Sequence, residues 1–174
     1  MDHPGWLPAI ISINDFAGAW PAYLDAVYSQ FELDFLTTQP KFNGCWVRCR
    51  HDPIIDGKEA GFWHCTSEGK DETNRTADTS RMARVAWIRA IIENAADPMV
   101  SCWQNNRDGS TDNRQLLWFN EEFLVVLGER IRPRDGFRYW QLITAYPTPE
   151  EHRRKKLRRE RDEWLQKQLT PPPC

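Results

Sequence analysis

Three groups of residues in this 174-residue chain have the types and spacing for acid–base or phosphate chemistry. His64 closes a run, Lys58 to Cys65, that reads as a strand, with Lys58, Ala60, Phe62 and His64 on one face and Gly61, Trp63 and Cys65 on the other. An imidazole at a strand end, beside the polar run Thr66-Ser67-Glu68-Gly69, meets solvent while a sheet holds it. Its ordinary pKa of about 6.5 suits proton transfer at neutral pH. The alternative is a surface or hydrogen-bonded histidine with no chemical role. His3, His51 and His152 are less well placed, near the first residue, at a turn and on a terminal helix.

Arg81, Arg84 and Arg89 form the second group, on a predicted helix from Arg81 to Asn94. At 100° per residue Val85, Ile88 and Ile92 make its buried stripe; Arg81 falls on that stripe one turn earlier, and Arg84 and Arg89 flank it. A guanidinium in the first turn opposes the helix dipole, and such broken local rules occur at functional sites. Two readings stand. Either the helix amides with Arg81 and Arg84 cradle a phosphate, or the arginines pair with Glu68, Asp71 or Asp78 of the preceding loop. Thr144 and Tyr146 are the third group, two apart near the end of the last predicted strand and so about 7 Å from each other on one side. Their hydroxyls can donate to a phosphate, although both types are also ordinary strand formers.

Together these are the parts of a metal-independent ribonuclease. A base takes the proton of a ribose 2′-hydroxyl, which attacks the adjacent phosphorus. Cationic donors stabilise the phosphorane, and an acid protonates the departing 5′-oxygen. The carboxylates do not cluster as a magnesium nuclease requires, so neither metal nor cofactor is expected.

The elements that must position these groups follow from pattern. Asn14 and Asp15 offer a cap, and Phe16, Trp20, Tyr23, Leu24, Val27, Tyr28, Phe31 and Leu36 recur at near-helical spacing, with Pro21 bending the helix or starting a second one. Gly44 to His51 reads as a strand that turns through Asp52-Pro53 and Asp56-Gly57 into the Lys58 to Cys65 strand. Gly69 to Thr79 is polar and loop-like, and Asp78, Thr79 and Ser80 can cap the arginine-bearing helix. Val100 to Gln104, Arg114 to Phe119, Phe123 to Ile131 and Phe137 to Ala145 are β-rich, separated by turns at Arg107-Asp108-Gly109, Asn120-Glu121-Glu122 and Arg134-Asp135-Gly136. Thr148-Pro149-Glu150-Glu151 has a capping-box pattern that opens a final helix. The expectation is one α+β domain: a helical segment over 1–41, an α+β core over 42–148 and a basic helix and tail over 149–174. The core is a preceding β-hairpin and an antiparallel meander of about four strands.

Composition excludes several classes. Apolar residues are 40% and charged residues 28%, which fits neither a disordered nor a membrane-spanning chain, and no apolar run nears the roughly 20 residues a bilayer span needs. The start, Met1-Asp2-His3-Pro4, lacks a secretory pattern, and five irregularly spaced cysteines fit a reducing cytoplasm better than a disulfide framework. On a strand Cys45 and Cys49 lie about 13 Å apart, too far to share a zinc ion. Net charge is −2, yet residues 149–174 carry eight Lys or Arg against five acids. The run Arg153, Arg154, Lys155, Lys156, Arg158, Arg159 and Arg161 fits nucleic-acid contact or a solvated helix face. Nine tryptophans supply either core or stacking surface; exposed Trp46, Trp103 and Trp118 would point to a structural assembly role instead.

The stretches Asp56-Gly57-Lys58-Glu59-Ala60-Gly61-Phe62-Trp63-His64, Arg84-Val85-Ala86-Trp87-Ile88-Arg89-Ala90-Ile91-Ile92-Glu93, Phe123-Leu124-Val125-Val126-Leu127-Gly128-Glu129-Arg130 and Leu142-Ile143-Thr144-Ala145-Tyr146-Pro147 carry a resemblance. Over roughly residues 42–165 the chain resembles the barnase/EndoU/colicin/RelE-like (BECR) fold of metal-independent RNases, many of them bacterial or phage-associated toxins. The resemblance implies a curved antiparallel sheet behind N-terminal helices, with the site on its concave face. It maps the family's histidine to His64, its hydroxyl-and-aromatic pair to Thr144 and Tyr146, and its basic helix residue to Arg81, Arg84 or Arg89. Barnase-like members pair a glutamate base with a second histidine, which this chain does not place well; Glu68 with His64 as acid, or His64 as base assisted by Arg and Tyr146, are the alternatives. The translation-associated branch is strongly basic, unlike this chain. The expected set is catalytic His64, Arg84, Thr144 and Tyr146, with substrate held by Arg81, Arg89, Ser67 and Arg153. The implied partners are RNA (tRNA, rRNA or mRNA) and a cognate antitoxin or immunity protein. The rival expectation is a non-catalytic RNA- or protein-binding accessory on the same fold.

Overall fold

Local signals decide the first third of the chain. Ser12 caps a 3-10 turn, Ile13–Phe16, while Asp15 bonds back to the Ser12 amide. The main helix α1, Trp20–Glu32, begins separately with Pro21 in its first turn and continues as a π-helical turn, Leu33–Thr37. Tyr23, Val27 and Phe31, spaced four apart, are its buried face. The short strands β1, Lys41–Phe42, and β2, Cys45–Arg48, follow. A hairpin of β3, Ile54–Ile55, and β4, Lys58–Glu59, turns through Asp56 and Gly57, both at positive φ (50° and 71°), as a two-residue hairpin requires. The computed structural model describes residues 3–69, 71–72, 74–106 and 113–169.

Two expected elements differ. The run expected to be a strand through His64 leaves strand geometry at Glu59 and becomes a helix, α2, Ala60–Thr66. The helix expected over Arg81 to Asn94 is two helices, α3, Thr79–Met82, and α4, Val85–Glu93. They break at Ala83 because its carbonyl accepts the Ile11 amide instead of continuing a helical ladder. Asp78 caps α3 as its sequence position suggested, accepting from the Ser80 and Arg81 amides. Between α2 and α3 lies a small ladder of β5, Ser67–Glu68, and β6, Thr76–Ala77.

The last part of the chain supplies β7, Val100–Asn106, β8, Asn113–Phe119, β9, Phe123–Ile131, and β10, Arg138–Pro147, then helix α5, Glu151–Leu169. The turn expected at Arg107-Asp108-Gly109 lies outside the described residues. Fold class is α+β, but the main sheet is mixed and six-stranded, in the order β1-β2-β10-β9-β8-β7. The extra strands join because Val47 and Arg48 pair in parallel with Trp140 and Gln141. Among the described residues no helix is long and apolar enough to cross a membrane.

Both faces of the sheet are covered by apolar side chains, in alternation. Leu117, Phe119, Phe123, Val125 and Leu127 meet Val27 and Phe31 of α1 and Ile88 and Ile91 of α4. Trp103, Leu116, Trp118, Leu124 and Val126 form a second cluster on the opposite face, closed by Leu157 and Trp164 of α5. Trp103 and Trp118 are fully buried, which removes them from any exposed assembly surface; Trp46 is 39% exposed. A register shift between Leu142 and Thr144 sends Leu142 and Ala145 to the larger core and Ile143 and Tyr146 to the α5 side. Thr148, fully buried, holds this end closed. Its hydroxyl accepts from Trp118 Nε1 at 3.0 Å and donates to the Glu121 carbonyl at 2.8 Å instead of serving as a cap.

Candidate active site

The position of His64 is set by how α2 is fastened at both ends. Its first amides have no side-chain cap; Ala60 and Gly61 donate to the carbonyls of His51 and Arg50 at 3.1 and 2.8 Å. Gly61 is required there, since a Cβ would lie 3.0 Å from both the Arg50 nitrogen and oxygen. At the other end the Ser67 hydroxyl donates to the Trp63 carbonyl, and the Thr144 hydroxyl donates to the His64 carbonyl at 2.8 Å. The helix is thereby pinned beside β10, where β2 has ended.

His64 lines a cleft of about 300 Å³ with Arg50, Gly61, Arg130, Gln141 and Ile143. Arg130 lies along the sheet, donating to Gln141 Oε1 at 2.8 Å and to the Glu129 carbonyl at 2.8 Å. Gly128 makes room for it: a Cβ would stand 3.1 Å from Arg130 Nη1 and from Ile143 Cδ1. Arg50 is tied to Glu72 at 2.5 Å, and the same carboxylate is 3.7 Å from His64 Nε2. That nitrogen is shielded from solvent and has no hydrogen-bond partner. Burial pushes the imidazole pKa below its usual value, and Arg75 and Arg50 add to the shift; Glu72 and the Ile143 carbonyl oppose it. The shift favours the neutral imidazole, the form a general base needs.

A second cleft, of about 620 Å³, opens between α5 and the same face of the sheet. Its floor is Leu116, Leu124, Val126 and Leu157, and Tyr146 and Arg153 line its side. The guanidinium carbons of Arg153 and Arg81 stand 5.1 and 5.4 Å from the centre of the Tyr146 ring.

The residues expected at one site are thus divided. His64 faces the smaller cleft, and Tyr146 and Arg153 face the larger. Thr144 touches His64 only through its backbone. Arg81 takes the pairing alternative: it bonds Glu68 at 2.9 Å, Asp78 at 3.1 Å and the Ser67 carbonyl at 3.0 Å. Arg84 donates to Ser80 and lies over Trp87. Arg89 pairs with Glu93 at 2.8 Å in a separate cleft with Asp34 and Trp6, remote from His64. Ser67 is fully buried, its hydroxyl accepting from Arg75 Nε at 2.9 Å. Among the described residues no helix-borne arginine lines the His64 cleft; Arg81 is held at β5 and by Asp78 instead.

Arg50, Glu72, Arg130 and Gln141 escaped the sequence reading. One signal was present: Gly128 and Arg130 continue the alternation of Leu124 and Val126, so the outer face of that strand changes from apolar to cationic. Arg50 and Glu72 carry no such signal, since only the tertiary fold brings them to His64. Among the described residues no group of three or more His, Cys, Asp or Glu is placed to hold a metal ion. Compared with protein-family models, curated proteins and solved structures, the chain matches none.

Proposed function

We propose that this protein is an endoribonuclease that cleaves at the His64 cleft by 2′-hydroxyl attack. A single observation carries the reading. His64, whose Nε2 has no hydrogen-bond partner, shares a small cleft with the guanidinium groups of Arg130, on β9, and of Arg50, in the loop after β2. Neutral His64 takes the 2′-hydroxyl proton while the 2′-oxygen bonds to phosphorus and the bond from phosphorus to the 5′-oxygen breaks. The products are a 2′,3′-cyclic phosphate and a 5′-hydroxyl, whose proton comes from water. Arg50 and Arg130 face the charge that builds on the phosphorane, and Glu72 stabilises the imidazolium once formed. The supporting guanidiniums are therefore Arg50 and Arg130 in place of the expected Arg84.

A second reading, RNA binding without cleavage, is favoured by the separation of Tyr146 from His64, which leaves the cleft without the phenol expected to assist the histidine. Incubation of a mixed-sequence RNA with wild type, His64→Ala and Arg130→Ala in EDTA separates the two. Cleavage to cyclic-phosphate ends by wild type, lost in His64→Ala and reduced in Arg130→Ala, supports the nuclease. Intact RNA with salt-sensitive binding supports the binder. A toxin role fits the nuclease reading, and growth arrest on expression of wild type but not His64→Ala tests it.

A further inference from the structure

The basic run on α5 is not uniform. Three of the seven cations in the run are hydrogen-bonded to carboxylates on the helix or on the adjoining turn. Arg154 bonds Glu151 at 3.0 Å, Arg161 bonds Asp162 at 2.9 Å, and Arg158 pairs with both Glu121 and Glu151. Arg159 stands 3.6 Å from Glu163, and Arg153 and Lys156 are likewise short of a hydrogen bond. Their nearest carboxylates, Glu150 and Glu160, stand at 3.9 and 4.0 Å, beyond hydrogen-bond length. Both line the larger cleft, on the helix face that carries Leu157 and Glu160 toward the sheet.

We propose that this cleft is a nucleotide subsite, taking one nucleoside monophosphate unit of an RNA strand that also crosses the His64 cleft. Its identity as a ribonucleotide site rests on the RNA reading above. The volume, about 620 Å³, is in the range of small-molecule pockets, roughly 300–1,000 Å³. The apolar floor suits a planar base, and the guanidinium of Arg153 over Tyr146 offers a surface for stacking. Asn105 Nδ2 donates to Glu160 Oε2 at 3.0 Å, which fixes an amide oxygen and a carboxylate at the rim as acceptors for exocyclic base amines. Arg153 and Lys156 then meet the phosphate as charge-assisted donors. Apolar floor, acceptor pair and unsaturated cations in one cleft fit a nucleotide better than a bare anion.

The test uses the full chain and calorimetric titration with 5′-AMP, 5′-UMP, adenosine and inorganic phosphate. At least one nucleotide binds saturably, about tenfold or more tighter than phosphate or adenosine alone. Arg153→Ala and Lys156→Ala each weaken it by about tenfold, while Lys155→Ala on the outer face does not. Absence of saturable nucleotide binding overturns the proposal. So does phosphate binding as tightly as nucleotide, or Lys155→Ala matching Lys156→Ala. Failure here stays separate from failure of the nuclease reading. If His64→Ala abolishes cleavage but the two cleft variants change neither nucleotide nor RNA affinity, only the subsite falls. If nucleotide binds as described and no RNA is cut, only the nuclease falls.

Discussion

Replacing Thr144 by Val isolates what holds His64 in place. The exchange keeps the branched shape and removes the hydroxyl that donates to the His64 carbonyl at 2.8 Å. That carbonyl is in the last turn of α2, where helical carbonyls lack intrahelical partners. Leaving one unsatisfied at a part-buried position costs about 1–2 kcal/mol. For a chain of this size each kcal/mol lowers Tm by about 2–4 °C, so Thr144→Val should melt about 2–8 °C below wild type. Thr144→Ser restores the donor and should recover most of that loss. Thermal unfolding by circular dichroism reads the stability, and single-turnover RNA cleavage reads the site. Because Thr144 positions His64 without facing the cleft, kcat should fall in the valine variant while KM for RNA holds. A Tm within about 1 °C of wild type, or a serine variant as unstable as the valine one, would refute the role assigned to this bond.

Other outcomes follow from the same structure. Burial pushes the thiols of Cys49 and Cys65 up to about 12 and that of Cys102 to about 11, so iodoacetamide at pH 8 should label half-buried Cys45 well before these three, as peptide mapping reads. Thr148→Val strands the Trp118 indole N–H and the Glu121 carbonyl together and should cost about 2–4 kcal/mol, seen as a lower urea midpoint at unchanged m. The lowered pKa of His64 means that the unfolded chain takes up its proton first as pH falls. Its contribution to stability should be complete above the ordinary value of 6.5 and decline as pH drops from there through the folded pKa, and His64→Gln should remove that part of the slope.

Much of the frame was legible because it rests on local chemistry. The Phe123 to Ile131 strand follows from an apolar run bounded by turn residues, and its ends agree with the structure. The Asp56-Gly57 hairpin and the Asp78 cap follow from backbone preferences of those residues. What escaped was non-local. Lys58 to Cys65 alternates well enough for a strand, but the backbone carbonyls of Arg50 and His51 supply caps that make a helix from Ala60 onward. The Ile11 amide likewise breaks the long helix at Ala83, which separates Arg81 from the stripe it seemed to continue in the sequence. His64 itself was found from its residue type and polar surroundings. Its guanidinium neighbours depend on Arg50 and Arg130 meeting from distant parts of the chain, and no spacing records that.

The most direct measurement is the imidazole NMR signal of His64 during titration with an RNA oligonucleotide whose 2′-hydroxyls are replaced by hydrogen, so that it binds without being cut. Shifts of the His64 ring resonances that saturate together with binding, and disappear in Arg130→Ala, are the predicted result. Saturable binding that leaves the His64 ring unmoved would contradict a phosphodiester seated in that cleft.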